Sequence, residues 1–218
     1  MKKDKLDIIY EDKSILVVNK PSGLLTISTE NEKEKTLFHK VFTYLKQKNK
    51  NNKVFIVHRL DKDTSGLVVF AKSEQVKRFL QEEWEQNAVE RKYYAIVHGI
   101  VEKPQDTIIS YLKETKTLYT YSSKTKNDGK KAITTYKKIS DNGQYSYLDI
   151  SISTGRKNQI RVHMKDINHP IVGDRKYGVK DNSRKMLLHA YHLVITHPVT
   201  KQKLMLISKE PKVYRLYK

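Results

Sequence analysis

The sequence contains no cysteine, which excludes disulfide bonds and thiolate metal sites. Its N-terminus, "MKKDKLDIIYEDK", is basic but has no apolar run of signal-peptide length. No run elsewhere approaches the length that crosses a membrane. We therefore expect a cytoplasmic protein that is neither exported by a recognisable signal nor embedded in a membrane.

Acidic residues are also scarce, with 24 Asp and Glu against 43 Lys and Arg, for a net charge of +19. A field of one sign and this size favours a polyanionic partner such as a nucleic acid. The alternative is a surface that is merely soluble, from a proteome rich in lysine and asparagine. A length of 218 residues with 38% hydrophobic content fits one sizeable domain, which we place at 1–218.

Several motifs of enzyme chemistry are missing. The sequence has no GxxxxGK[ST] or GxGxxG, so nothing indicates nucleotide binding, and no GxSxG, so nothing indicates a serine hydrolase. His189, His192 and His197 lie in an expected strand, where residues three apart point to opposite faces. We predict no metal ion and no cofactor.

The hydrophobic pattern predicts an α+β protein. Amphipathic helices are expected in "TLFHKVFTYLKQK", with Thr36 as N-cap, and in "SEQVKRFLQEEWEQ", with Ser73 as N-cap. Short apolar runs follow with little room for helices between them, namely "RKYYAIVHGIV", "TIISYL", "AITTYKKI", "YSYLDISIS", "HAYHLVITH" and "KLMLIS". This order predicts a mixed, largely antiparallel central sheet with flanking helices and loops.

Two turns complete the prediction. "SILVVNK" and "LLTIS" are expected to be strands on either side of a turn at 21–23. Asn127-Asp128-Gly129 is a strong hairpin signal, and its lysine-rich flanks, including Lys130 and Lys131, would then project as a basic finger over 122–131. A solvated hairpin without a binding role is the alternative.

The stretch "FIVHRLDKDTSGLVVFAKS" places a polar segment between two apolar strands. Asp61 lies there among cationic neighbours, in a turn that Gly66 is expected to close. A carboxylate beside guanidinium groups stays ionised even when it is partly buried, as a nucleophile requires. A structural aspartate that caps a turn explains the same residues, and the motif alone leaves both readings open.

"HRLDKDTSGL" resembles the signature of the RluA-type pseudouridine synthases. Other blocks resemble that family in the same order along the chain: "VVNKPSGLLT", "ERKYYAIVHG", "TGRKNQIRVHM", "HPIVGDRKYG" and "RKMLLHAYHL". The resemblance implies a catalytic domain with an active-site cleft and without the family's optional N-terminal RNA-binding module, since "NKPSGL" begins at Asn19.

The resemblance also implies roles for individual residues. Asp61 becomes the catalytic nucleophile, Arg161 its partner, and Arg59 the side chain that fills the stack of the target base. Tyr93 is the active-site tyrosine, chosen over Tyr94 by matching a basic-x-Tyr-x-Ala pattern. The remaining candidates for binding substrate RNA are His58, Lys20, Arg156, Asn158, Gln159, Lys130 and Lys131. Asn158 stands where many members of the family have histidine.

The implied reaction is the isomerisation of uridine to pseudouridine in ribosomal or transfer RNA, without metal or cofactor, by a protein that we expect to be a monomer. The carboxylate acts as nucleophile or as acceptor of a ribose proton, and both routes stay open. Two alternatives are a catalytically idle RNA-binding protein and a metal-free ribonuclease that uses His58 or His163.

Overall fold

A computed structural model of the chain describes residues 6–28, 32, 34–86, 89–123, 125–126 and 128–217. Two compact units divide it: unit 1 consists of Met1–Glu90 and Ala190–Lys209, and unit 2 of Arg91–His189 and Glu210–Lys218. Each unit therefore contains two separate stretches of the chain.

The regular elements follow one another in this order: β1 Ile8–Glu11, β2 Ile15–Lys20, α1 Leu37–Lys48, β3 Phe55–Ile56, β4 Ser65–Ala71, α2 Glu74–Glu85, β5 Glu90–His98, β6 Gln105–Glu114, β7 Thr120–Ser123, β8 Lys130–Asp141, β9 Tyr145–Ile152, α3 Gln159–Asp166, β10 Leu188–Thr196, β11 Lys203–Ile207 and a 3-10 helix, Lys212–Leu216. The predicted α+β class with a largely antiparallel sheet is confirmed.

Unit 1 is built on strands in the order β1-β2-β4-β10, with β3 beside β4 and β11 beside β10. Every residue of β4 is buried, and its antiparallel partners in β2 run from Ile15 opposite Ala71 to Lys20 opposite Gly66. Apolar side chains of β2, β4, β10, β11 and α2 form its core. Gly66 belongs to β4 and does not close a turn as predicted. A Cβ on it would lie 2.2 Å from the carbonyl oxygen of Ala190, so β4 and β10 need a glycine at their closest approach.

Both predicted helices of unit 1 are confirmed with their caps. Thr36 Oγ1 accepts from the amide of His39 at 3.1 Å, and Ser73 Oγ accepts from the amide of Val76 at 3.3 Å. The strand predicted for 24–28 is wrong, because Leu25 makes only an isolated bridge to Thr36. Its carbonyl accepts instead from the first amide of α1, where the helix has no partner of its own.

Unit 2 has its strands in the order β5-β9-β8-β6-β7, all paired antiparallel. The predicted hairpin at 122–131 is wrong, since β7 and β8 lie on opposite edges of β6. A Cβ on Gly129 would lie 2.8 Å from the carbonyl oxygen of Leu112, so the chain passes directly against β6 there. Lys124 and Asn127 of that prediction lie outside the described residues.

Helix α3 is short and almost wholly buried. Val162 of α3 and Tyr177, which lies in the turn after the helix, share a core cluster with Leu112 and Ala132 of the neighbouring strands. A second cluster gathers Ile96, Tyr147 and residues of the 3-10 helix. Unit 2 thus holds α3, which contains Arg161 and the end of the block "TGRKNQIRVHM", against its sheet.

Candidate functional site

Asp61 lies half-buried in the loop 57–64, which connects β3 to β4 in unit 1. Thr26 Oγ1 donates to the carbonyl oxygen of Leu60 at 2.8 Å, immediately before Asp61. The carbonyl oxygen of Lys62, immediately after it, accepts from the amide of Gly23 at 3.0 Å. The backbone on both sides of Asp61 is therefore bound to the segment that follows β2.

Lys20 completes this attachment from inside unit 1, where it is fully buried. Its Nζ donates to three backbone carbonyl oxygens, those of Pro21 at 3.1 Å, Leu24 at 2.7 Å and Lys62 at 2.8 Å. Burial lowers the pKa of Lys20 to about 7, against the opposing attraction of Asp63 and Asp61. The burial of this group and its bonds to the loop that holds Asp61 argue against the expected RNA contact of Lys20.

His58 and Arg59, at the start of the same loop, differ in their surroundings. The ring of His58 stacks on Trp84 with centroids 4.4 Å apart, and its Nε2 accepts from the amide of Val69 at 3.1 Å. These contacts give His58 a role in holding the loop on β4 and α2, in place of the expected RNA contact. Arg59 is exposed, as a residue that reaches into RNA has to be.

Tyr93 and Tyr94 are adjacent in β5 of unit 2 and face opposite sides of that strand. The ring of Tyr94 packs against Tyr147 at a centroid distance of 5.3 Å, in the cluster that contains Ile96. Tyr93, 9% exposed, lies on the other face. The two tyrosines thus lie on different faces of β5: Tyr94 packs on the cluster of Ile96, and Tyr93, the more buried of the two, stays the candidate.

Arg161, on α3, is held by a bidentate ion pair that sequence reasoning did not identify. Its Nε and Nη2 donate to the two carboxylate oxygens of Asp174 at 2.7 and 2.8 Å, and its Nη1 donates to Asn158 Oδ1 at 2.9 Å. The guanidinium carbon lies 5.0 Å from the ring centroid of Tyr177. Burial alone would raise the pKa of Asp174, but the hydrogen bonds and charge of Arg161 lower it overall.

Asn158 and Gln159 serve this arrangement from the start of α3. Asn158 has a left-handed backbone, φ 56°, which asparagine tolerates well, and its Nδ2 donates to the hydroxyl of Tyr177 at 3.1 Å. Gln159 is buried, and its Nε2 donates to Ile133 and Thr134 at 2.9 and 3.0 Å. Both side chains are buried and bonded within unit 2. We therefore assign them to the positioning of α3 in place of the expected contacts with RNA.

The basic residues at the start of β8 and before α3 are exposed and border a groove of about 420 Å³ in unit 2. Its cationic lining consists of Lys113, Lys130, Arg156 and Lys157. Two of these pair with carboxylates, Lys113 with Asp128 and Lys157 with Glu114, while Arg156 Nε donates to the carbonyl oxygen of Lys131 at 3.0 Å. This surface suits a polyanion.

Within the described part of the chain, no three His, Cys, Asp or Glu side chains come together as metal ligands. No described helix is both long and apolar enough to cross a membrane.

The residues that sequence reasoning missed are Asp174 and Tyr177, which hold Arg161, and Arg91 in β5, which has almost no partner. The first two lie in "HPIVGDRKYG", so that block carried the signal, but no spacing rule identifies which cation they bind. Lys20 and Asp61 share unit 1, whereas Tyr93, Arg156 and Arg161 belong to unit 2.

Sequence comparison places similar proteins around this chain. A family model described as RNA pseudouridylate synthase matches residues 14–166. An uncharacterized RNA pseudouridine synthase of Mycoplasma genitalium is 36% identical over 89% of this chain and 63% of its own length. The ribosomal large subunit pseudouridine synthase D of Borreliella burgdorferi is 38% identical over 86% of this chain and 60% of its own length. The tRNA pseudouridine synthase C of Haemophilus ducreyi is 36% identical over 92% of this chain and 89% of its own length. The chain thus spans about six tenths of the first two relatives.

Solved structures agree on the fold. The protein titled Human RNA Pseudouridylate Synthase Domain Containing 4 superposes with a TM-score of 0.80 at 23% identity, covering 95% of this chain and 90% of its own. Human RNA Pseudouridylate Synthase Domain Containing 1 gives 0.79 at 23% identity, covering 95% and 84%.

Proposed function

This chain belongs to the RNA pseudouridylate synthase family, and from that premise we propose that it isomerises uridine to pseudouridine within RNA. In this reaction the bond between ribose C1′ and uracil N1 breaks, the uracil turns in place, and C5 bonds to C1′. The observation that carries the proposal is the loop of Asp61. Thr26 binds the backbone at Leu60 and Lys20 binds it at Lys62, on either side of Asp61. These bonds fix the position of Asp61, as catalysis by one carboxylate requires.

Asp61 supplies the carboxylate of the reaction, either as a nucleophile towards the ribose or base or as the acceptor of a ribose proton. Tyr93 stacks on the uracil and serves at the C5 proton step, directly or through water. Its place on β5 opposite to the core-facing Tyr94 supports this role.

Arg161 is the proposed partner of Asp61, and its own surroundings define how it can serve. A guanidinium has five N–H donors, and three of them are used by Asp174 and Asn158. Asp174 compensates the charge of Arg161, and Asp174 and Asn158 together fix the orientation of its guanidinium group.

Arg59 is proposed to fill the space that the target base leaves when it turns out of its helix. Unstacking a base costs on the order of a few kcal/mol, which a side chain inserted in its place offsets in part. The exposure of Arg59 in the loop that carries Asp61 supports this role.

The proposed substrate is a stem-loop of ribosomal or transfer RNA. Relatives are named for the ribosomal large subunit and for tRNA, and this chain carries a net charge of +19 together with the basic groove of unit 2. We further propose that residues 1–218 act as one catalytic domain, as a monomer in the cytoplasm and without a cofactor.

The ribonuclease alternative loses support from the positions of its histidines. His163 is fully buried between Thr134 and Ser110, and burial lowers its pKa to about 4. His58 stacks on Trp84. A general acid and base pair for RNA cleavage needs imidazoles that reach substrate and titrate near neutrality.

The test is Asp61→Asn, which keeps size and removes charge and nucleophilicity. Pseudouridine is measured in a stem-loop substrate by carbodiimide-dependent reverse-transcription stops, and RNA affinity is measured by anisotropy. We expect the rate to fall by more than about a thousandfold at nearly unchanged affinity. Asp63→Asn, on an exposed residue of the same loop, is the matched control and should lose little.

Residual turnover of Asp61→Asn within about tenfold of wild type would contradict the assignment. The RNA must also keep its length, because shortened products would favour the ribonuclease, and unmodified RNA that binds tightly to wild type would favour the idle binding protein.

A further inference from the structure

Arg91, in β5, is a buried cation with almost no partner. It is 8% exposed, and its Nη2 lies 3.4 Å from the carbonyl oxygen of Ser153, at the limit of a hydrogen bond. Its Nε makes no hydrogen bond in the structure. A buried charge normally has a counter-ion and a full set of hydrogen bonds, so Arg91 lacks what its position demands.

The surroundings of Arg91 add positive charge. Burial lowers the pKa of Arg91, Tyr93 opposes this effect, and the nearby charge of Arg156 lowers it further. None of the described carboxylates forms an ion pair with Arg91. An anion bound between the two guanidinium groups would remove this repulsion.

Gly155 brings the two arginines to the same place. A Cβ at this position would lie 2.7 Å from Arg91 Nη1, so the guanidinium of Arg91 lies directly against the backbone of Gly155. Arg156 follows directly, is exposed, and borders the basic groove together with Gly155. Gly155 therefore contacts the buried Arg91 and is followed in the chain by the exposed Arg156.

We infer that Arg91 and Arg156, on either side of Gly155, form a binding site for one phosphate group of the RNA backbone. This inference rests on the proposed function and adds a site to it. Phosphate oxygens accept from guanidinium N–H groups in pairs, and one phosphate would satisfy Arg91 and separate the two like charges.

The neighbour of Arg91 places this phosphate near the target. Arg91 and Tyr93 are two apart in a strand and point to the same face. The proposed phosphate site therefore lies on the face of β5 that carries Tyr93, and Arg156 connects it with the basic groove.

The test is the salt dependence of RNA affinity for the full chain, in a short double-mutant series. Each lost phosphate contact reduces the slope of log affinity against log salt by about 0.7 for single-stranded RNA. Arg91→Gln and Arg156→Gln should each reduce the slope by about 0.7, and the double variant should also lose only about 0.7, because both side chains hold the same phosphate. Between 50 and 200 mM salt, this amounts to about a 2.6-fold smaller loss of affinity than in wild type.

Gly155→Ala tests the site without removing a charge, since its Cβ would meet Nη1 of Arg91 and shift that guanidinium. It should reduce the slope as Arg91→Gln does, and it decides the matter together with Arg156→Gln if Arg91→Gln does not fold. Arg78→Gln on α2, where the arginine pairs with Glu74, is the control for loss of an exposed cation and should leave the slope unchanged.

Additive losses in the double variant would assign two phosphates and overturn the shared site. An unchanged slope in folded Arg91→Gln or in Gly155→Ala would make Arg91 structural. RNA binding with the expected slopes but without pseudouridine in wild type would overturn the proposed reaction and leave the phosphate site standing. Pseudouridine formation by wild type together with unchanged slopes in the variants would overturn the phosphate site and leave the proposed reaction standing.

Discussion

Lys20→Met separates the buried lysine from the loop of Asp61 with little change in shape. Methionine has nearly the length of lysine and is at home in an apolar interior, but it donates no hydrogen bond. The carbonyl oxygens of Pro21, Leu24 and Lys62 then lose their common donor. Leaving a buried acceptor without its donor typically costs about 1–3 kcal/mol, so three carbonyl oxygens that lose one donor should together cost about 3–5 kcal/mol without full additivity.

A loss of about 3–5 kcal/mol corresponds to a fall in Tm of roughly 6–20 °C for a chain of this size. The measurement is thermal denaturation followed by circular dichroism, with pseudouridine formation assayed below the transition. Lys62→Met is the matched control, because the exposed Lys62 contributes only its backbone carbonyl to the cluster. We expect the control to melt near wild type and Lys20→Met to lose turnover as well as stability.

The pH dependence gives this prediction a sign. Burial lowers the pKa of Lys20 to about 7, below the ordinary value of about 10.4, so the unfolded chain holds more protons between these values. Stability from this group therefore rises as pH increases from about 7 towards 10. The Tm difference between wild type and Lys20→Met should widen over that range. A variant that melts within about 2 °C of Lys62→Met at every pH would refute the reasoning.

Two further predictions concern unit 2. Asp174→Asn leaves Arg161 as a buried charge without its carboxylate and should lower the free energy of unfolding, measured by urea denaturation, by about 3–5 kcal/mol. The control Asp128→Asn breaks the exposed pair with Lys113 and should lower it by less than about 1 kcal/mol. Equal losses of stability would contradict the role of Asp174. Burial lowers the pKa of His163 to about 4, so the unfolded chain binds the extra proton first as pH falls from about 6.5, and wild type should lose about 3 kcal/mol by pH 4. His163→Gln should lack this component of the acid loss, and an identical acid slope in both proteins would exclude it.

The helices of unit 1 were predictable because their signals are local. Thr36 and Ser73 lie three residues before the amides that they cap, and apolar residues at helical spacing follow each of them. The strand expected at 24–28 and the hairpin expected at 122–131 failed because pairing is non-local. The carbonyl of Leu25 is taken by α1, and β6 separates β7 from β8.

The candidate site divides in the same way. The motif around Asp61 and the block "ERKYYAIVHG", which contains Tyr93, could be recognised from the sequence. Lys20 was predicted to contact RNA, since nothing in the sequence shows that three carbonyl oxygens converge on its ammonium group. Asp174 and Asn158 approach Arg161 only once α3 and the turn after it have formed. Such partners are set by tertiary packing, and local pattern carries no information about them.

The composition of unit 1 from two distant stretches has a consequence for biosynthesis. β4 is buried along its whole length, yet its neighbour β10 begins only at Leu188. At about 5–20 residues per second, a ribosome needs roughly 5–20 s to make the intervening chain of unit 2. During that interval the part of the β4 edge that β3 does not cover stays unpaired and open to association with other nascent chains. A stop codon after residue 189 would make this state permanent, so a truncated product is expected to aggregate and to be degraded although it retains every candidate catalytic residue.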